Sequence, residues 1–393
     1  MNVSLRTTLL IVAAGVLVAA GTRDIWSSEP SSDAKSVTRI TPQVIVPAPP
    51  PEPAAPLTEL KALHYALLGE EFQRLDEQMA WNLDSARADS GYELRYRDRL
   101  DVFAVADTTL APHLDAWVAR EPASSVARLA RGAFYAAMSE SARGSDWVSE
   151  TTESRLRRML ELQRVAGEDL IAAHKGDSTN VLAHWLLLNI VMASGTHEQG
   201  RATLDAGLRQ VPSSFLLRAR YGLSLRPRWG GSLGSMNAFT RETNRDAELH
   251  PRLRLLRGYE AYDSASVLHE GKRESEAVTM YTRALSYGDY WLYRTDRADA
   301  HYNLEEYQLA IEDYDAALAQ RPLYTEARVY RAASLDYLAW QGPEGPQRHA
   351  LLERAREDMR IAAELDPTSK YLMRVVQKHP GIVPPIIAIQ QNR

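Results

Sequence analysis

The 393-residue chain contains no cysteine, and that absence removes disulfides, thiolate metal sites, cysteine nucleophiles and lipid attachment through an N-terminal cysteine. It also lacks an excess of positive charge. The 46 lysines and arginines are outnumbered by 51 aspartates and glutamates, for a net charge of −5, so no overall cationic field draws the chain to nucleic acid. Runs alternating apolar and polar residues with period two are missing, which leaves no signal for strands. Among the ten histidines there is no His-Glu-x-x-His pair, and His184, His197 and His250 stand apart, so a metal signature is absent. The Gly-Gly-Ser-Leu-Gly stretch at 230–234 belongs to a turn between helices rather than to a nucleophile elbow, since no strand precedes it, and no phosphate-loop lysine follows its glycines. Catalytic residues, cofactors and metals are therefore not assigned. With 45% hydrophobic and 25% charged residues, the chain still carries enough apolar material for a sizeable core.

At the N-terminus, Arg6 precedes an uncharged run over residues 7–22 with an apolar centre at 9–20. Such a run is short of the about 20 residues that cross a bilayer as a helix, and Val18-Ala19-Ala20 offers small residues for a signal peptidase. Residues 1–26 are read as a signal peptide, with retention as an anchor the alternative. Residues 27–56, rich in serine and proline and including Pro49-Pro50-Pro51, read as an extended linker. The expected location is exported, in the periplasm, or anchored to the inner membrane by the N-terminal segment, which is then the sole membrane contact.

From residue 57 onward, amphipathic runs of helical period follow one another, at 57–68, 72–89, 92–104, 110–120, 124–141, 150–174 and 181–194. Pro122, Gly144, Gly176 and Gly195 fall at the breaks. Nearer the C-terminus a repeat emerges. A shift of 33 residues superimposes Ala310 on Ala277, Tyr314 on Tyr281 and Ala317 on Ala284. All three positions share one helical face, where small residues let antiparallel helices approach, the aromatic fills the gap to the next repeat, and Pro322 ends the second helix. A third copy carries Ala332, then resumes with Ala355, Met359, Ala362 and Pro367 after an inserted loop at 341–348. Weaker echoes start at Trp185 and Phe215. This pattern resembles the tetratricopeptide repeat. The expected fold is all-α: stacked antiparallel helical hairpins forming a TPR-like α-solenoid, preceded by a helical domain. Residues 57–257 are assigned to that domain with degenerate hairpins, 258–375 to the tetratricopeptide repeats, and 376–393 to a C-terminal tail.

The sequence Leu225-Arg-Pro-Arg-Trp-Gly-Gly-Ser232 breaks the helical pattern, and Ser232 is placed to cap the helix that follows. Together with Pro122-Ala-Ser-Ser-Val-Ala127 and Ala142-Arg143-Gly144, this turn resembles a bacterial domain-of-unknown-function family found beside tetratricopeptide repeats. The resemblance covers about residues 67–247 and departs at Met138, where a tryptophan is expected. That family carries no established activity, so the resemblance implies architecture alone. Two readings of the turn stay open. Gly230 and Gly231 free two backbone N–H groups beside Arg226 and Arg228, as an anion site requires. Alternatively, Trp229 packs into neighbouring helices, the glycines permit the backbone path, and the arginines pair with carboxylates. Residues 209–257 hold ten arginines, no lysine and three acidic residues, which makes either a cationic patch or a set of neutralised helix faces. His184, beside Trp185, reads as a packed histidine.

In tetratricopeptide repeats the first helix of each hairpin lines the concave face. The resemblance implies a groove of Tyr259, Tyr262 and Glu270 in one copy, Thr295, Asp299, Tyr302 and Asn303 in the next, and Glu326, Asp336 and Tyr337 in the third. This set is aromatic and acidic without a cation, unlike a clamp for a C-terminal carboxylate. It suits an extended segment bearing basic residues, through cation-π contacts of roughly 0.5 to 2 kcal/mol each; the alternative is that the tyrosines pack between helices. The expected function is a non-catalytic scaffold of the bacterial cell envelope that binds a partner protein or peptide. The competing reading is an envelope enzyme, or a protein binding an anionic polymer, with its site near the 225–232 turn.

Overall fold

The computed structural model of the protein describes residues 54–144, 150–248, 250–366 and 369–383. The expected export signal, linker residues 27–53, Pro367 and residues 384–393 of the tail lie outside the described residues. Among the described residues there are 17 α-helices and no strand. The first four are α1 (Ala54–Leu68), α2 (Phe72–Ala88), α3 (Glu93–Leu100) and α4 (Ala111–Arg120). Three hairpins follow: α5 (Ser125–Arg143) with α6 (Glu153–Gly176), α7 (Val181–Ser194) with α8 (His197–Gln210), and α9 (Phe215–Ser224) with α10 (Leu233–Arg245). Side-chain oxygens of Ser124, Thr152, Asn180, Thr196, Ser214 and Ser232 accept from first-turn N–H groups and so set where α5 to α10 begin.

After a 3-10 segment at Pro251–Gly258 come α11 (Tyr259–Glu270) with α12 (Glu274–Leu285), α13 (Trp291–Asn303) with α14 (Tyr307–Gln320), and α15 (Thr325–Gln341) with α16 (Pro346–Leu365). α17 (Lys370–Lys378) closes the array. These helices have no side-chain N-caps. Two of their hairpins, α11–α12 and α13–α14, are shaped at the turn instead. Lys272 and Glu305 take left-handed φ values of 57° and 61°, and the 6→1 bonds Arg273 N–H to Leu268 O and Glu306 N–H to His301 O close each first helix. Glu70 has the same φ of 57°, with Glu71 N–H bonded to Ala66 O, so α1 and α2 form a hairpin of the same design.

The repeat faces pack as their spacing requires: Ala277, Ala284, Ala310, Ala317, Ala355 and Ala362 are buried, with Tyr281, Tyr314 and Met359 between them. An ionic latch recurs with them. Asp313 of α14 receives Arg297 in a two-point fork, Nε to Oδ2 at 2.6 Å and Nη2 to Oδ1 at 2.7 Å, and Arg294 at 2.8 Å. Asp358 of α16 binds Arg331 and Arg328 with the same atoms at 2.6 to 2.9 Å. Asp169 of α6 binds Arg131 and Arg128 identically, at 2.7 to 3.0 Å. Each Asp precedes the central residue of a small-large-small face, and Ala166, Leu170 and Ala173 are buried like their counterparts. The α5–α6 hairpin is thus a full member of the array.

The boundary expected at 257/258 does not divide the packing. One apolar cluster runs from Leu60 to Ala317. Across that boundary, Arg321 binds Asp98 at 3.0 Å and Asp101 at 3.3 Å. The expected tail also begins too early. Val375, Val376 and Ile382 are buried, because amphipathic α17 covers the end of the last hairpin. No helix of the described residues is long and apolar enough to cross a membrane.

Candidate functional site

The first helices α11, α13 and α15 and the closing helix α17 pack on one another in turn, and three carboxylates gather where they meet. Asp296 and Asp299 lie on α13, three residues apart, and Glu326 opens α15. All three are half-buried. Burial raises the Asp296 carboxyl to about 6, while a hydrogen bond with the Tyr262 hydroxyl and the charge of Arg226 pull it down and Glu326 pushes it up. Burial also holds Asp299 well above the ordinary carboxylate range, with Asp296 and Glu326 adding to the effect. The Tyr314 hydroxyl donates to Asp299 Oδ1 at 2.5 Å. Glu326 is raised by burial, against hydrogen bonds from Tyr324, at 2.6 Å, and Tyr371 and the nearby charges of Lys370 and Arg374.

None of these three carboxylates makes an ion pair among the described residues, whereas Asp169, Asp313 and Asp358 each hold two arginines. Tyrosine hydroxyls are neutral donors and leave the negative charge uncancelled. Around the acids stand Tyr302, Tyr330 and Tyr371, with neighbouring ring centroids 5.8 and 6.1 Å apart. Arg374 binds the Tyr330 hydroxyl at 3.1 Å rather than a carboxylate.

Of the residues named from sequence, Asp299, Tyr302 and Glu326 come together here. Tyr262 contributes its hydroxyl although its ring is buried. Tyr259 and Thr295 do not face the groove. The Tyr259 hydroxyl donates to Ala219 O at 3.1 Å, Thr295 Oγ1 donates to Trp291 O at 3.0 Å, and each is 1% exposed. Asp336 is corrected as well: it is buried, accepting from Trp340 at 3.1 Å and paired with His379 at 2.7 Å. Tyr337 stacks on Tyr307 at 4.8 Å beside them. Asn303 is exposed and donates to Glu274 at 2.9 Å, and exposed Glu270 pairs with Arg228. Asp296 was missed. Its partners Tyr262 and Glu326 belong to other hairpins, so no local pattern marks it.

The 225–232 turn follows the structural reading for its arginines and glycines. Arg226 Nε donates to Asp263 Oδ1 at 2.6 Å, Arg228 pairs with Glu270, and the N–H groups of Gly230 and Gly231 bond inside the turn to Pro227 O at 3.0 Å and Arg226 O at 3.2 Å. The two N–H groups that an anion would need are thus consumed. Gly230 has φ +84°, and a Cβ on Gly231 would meet Leu225 O at 2.0 Å, so both glycines are conformational necessities. Trp229 does not plug into neighbouring helices: it is 58% exposed. His184 is a packed histidine, its Nε2 2.8 Å from Ser178 O and its ring 4.8 Å from that of His174. Among the described residues no group of three or more acidic, histidine or cysteine side chains is arranged to hold a metal.

No protein-family model and no curated protein sequence matches the chain. Solved structures do. The crystal structure of the APC/C hetero-tetramer Cut9-Hcn1 superimposes with a TM-score of 0.33 at 13% identity, over 82% of this chain and 55% of that one. The p58(IPK) TPR domain superimposes with a TM-score of 0.30 at 15% identity, over 86% of this chain and 100% of that one. At such scores the fold assignment rests on the hairpins themselves. Their left-handed turns, small-large-small faces and sequential stacking define a tetratricopeptide-like helical repeat protein. The likeness of residues 67–247 to a domain-of-unknown-function family gains no support from a family model.

Proposed function

We propose that the chain is a non-catalytic scaffold that holds an extended, basic segment of a partner protein against the acidic, tyrosine-rich face of α11, α13, α15 and α17. The supporting observation is the cluster of Asp296, Asp299 and Glu326, which lacks ion pairs, whereas Asp169, Asp313 and Asp358 of the second helices α6, α14 and α16 each hold two arginines. Carboxylates that stay half-buried without a counter-charge keep folded-state free energy in reserve, and a lysine or arginine from a partner releases it. The adjacent tyrosine faces add cation-π contact. Helical-hairpin arrays present such continuous surfaces to extended ligands. The uncharged run at residues 7–22 supports the reading of an exported or anchored protein of the cell envelope.

Two measurements test the proposal. Alkaline phosphatase fused after Pro56 should be active in cells, and an inactive fusion beside a working cytoplasmic reporter removes the envelope from the account. Calorimetric titration with an arginine- and lysine-rich extended peptide should show saturable binding that an acidic peptide of equal length lacks. The double change Asp299→Lys and Glu326→Lys should abolish it; unchanged binding would exclude this face.

A further inference from the structure

A second charged region lies away from the acidic face. Residues of α3, α7, α9, the 3-10 segment and the start of α13 enclose a cavity of about 110 Å³. Its polar wall is made by Glu93, Arg97, Arg220 and Arg252, and its apolar wall includes Trp185 and Trp291. Arg97, Trp185, Arg220 and Arg252 keep part of their surface accessible, so the cavity communicates with solvent.

The arginines here differ from those of the latches. Arg252 makes no ion pair among the described residues, and its guanidinium lies 4.9 Å from the centre of the Phe215 ring. Among the described residues Arg220 donates only to the Asn189 side-chain oxygen, with the charge of Glu140 acting on it without an ion pair. Arg97 stacks 4.4 Å over Trp185, its closest carboxylate is Asp101 at 4.0 Å, and its Nε has no hydrogen-bond partner. A guanidinium stacked on an aromatic face is fixed in plane while its N–H edge stays free to bind. Glu93 completes the wall. It is 2% exposed, its Oε2 accepts the Leu216 N–H at 2.9 Å at the start of α9, and its Oε1 has no partner. Burial pushes its carboxyl up to about 7, against the hydrogen bonds it accepts and the charge of Arg252. A protonated Glu93 offers an O–H donor rather than a second anion.

We infer that this cavity is a binding site for a small oxyanion, held by the forks of Arg97, Arg220 and Arg252, with Glu93 as an additional hydrogen-bond donor. A carboxylate and an inorganic phosphate share the required chemistry, since each presents oxygens in the geometry that guanidinium edges match. About 110 Å³ admits one such group with a few waters and excludes large ligands. The cavity lies between α3 and hairpins later in the chain, so an occupant ties the N-terminal helices to the array.

The full chain, titrated with sodium phosphate and separately with sodium acetate at ionic strength fixed with chloride, provides the test. Tryptophan fluorescence and thermal unfolding are followed together, because Trp185 and Trp291 line the cavity. The inference expects a saturable fluorescence change and a rise in unfolding temperature with at least one anion, and which anion does so identifies the source. Arg220→Gln and Arg252→Gln should each weaken binding about ten- to a hundredfold, the size of a lost charged hydrogen bond. Arg252→Gln decides the matter if Arg220→Gln does not fold, since Arg252 makes no hydrogen bond or ion pair whose loss would unfold the chain. Unsaturable, linear responses to both anions, or affinity unchanged in the folded variants, would overturn the inference.

Discussion

Asp358 receives Arg328 and Arg331 where all three side chains are nearly inaccessible. Removing it takes from both buried guanidiniums the carboxylate they share, although Arg331 keeps Asp315 at 2.7 Å, and breaking a buried pair from one side costs about 3 to 5 kcal/mol. Asp358→Ala should therefore lose that much stability in urea denaturation. Asp313→Ala should lose less, because Arg294 and Arg297 keep 27% and 17% of their side chains accessible. Equal losses would show that burial does not set the strength of the latch. Asp296 makes the opposite prediction. Its folded pKa of about 6 exceeds the ordinary 3.8, so the native state holds the proton more tightly, and the associated stability is full below 3.8 and disappears as pH rises through 6. Asp296→Asn should flatten the stability profile between those values. Superimposable wild-type and variant profiles would mean that Asp296 carries no such strain. At this scale the sequence was only partly legible. Asp299 and Glu326 could be placed by repeat register, but whether a tyrosine such as Tyr259 ends in the core or at the surface depends on the adjacent hairpin.

Hairpins were the most legible elements, because close helix approach imposes a local alanine-aromatic-alanine spacing that any reader of the sequence meets. Ala310→Leu and Ala317→Leu place extra methylenes at positions 0% and 1% exposed, and each should cost about 1 to 3 kcal/mol by overpacking. Unchanged thermal unfolding of both would contradict the register. The turns allow a gain instead. Lys272 holds a left-handed φ of 57°, a conformation that costs an L-residue with a Cβ roughly 1 kcal/mol. Lys272→Gly should raise the unfolding temperature, and a drop would mean that its side chain contributes more than its backbone costs. The α5–α6 member was harder to see. Leu170 replaces the aromatic, and its latch joins residues 41 and 38 apart, against 19 and 16 in α13–α14. Longer helices, of 19 and 24 residues against 13 and 14, account for most of the difference in separation and leave the latch unchanged. Trp229 shows the converse: hydrophobicity suggested a plug, but its short 3-10 turn carries it outward.

Across the whole molecule, the N-terminal helices and the later repeats share one core and are joined by Arg321 to Asp98 and Asp101. No composition shift at residue 258 announced this, since contacts between residues more than 200 apart leave no local trace. Such a molecule presents its acidic face on a scaffold whose parts hold one another in place. The central claim is that Asp296, Asp299 and Glu326 bind a basic segment. Its most direct test is the fluorescence anisotropy of a labelled arginine- and lysine-rich peptide, titrated with the full chain and with the triple variant Asp296→Asn, Asp299→Asn, Glu326→Gln at pH 7.5 and pH 5. The account predicts saturable binding by the wild type at pH 7.5, weaker binding at pH 5 as the raised carboxylates take up protons, and loss of binding in a variant that retains its helical circular dichroism. Equal affinity of wild type and folded triple variant would contradict it.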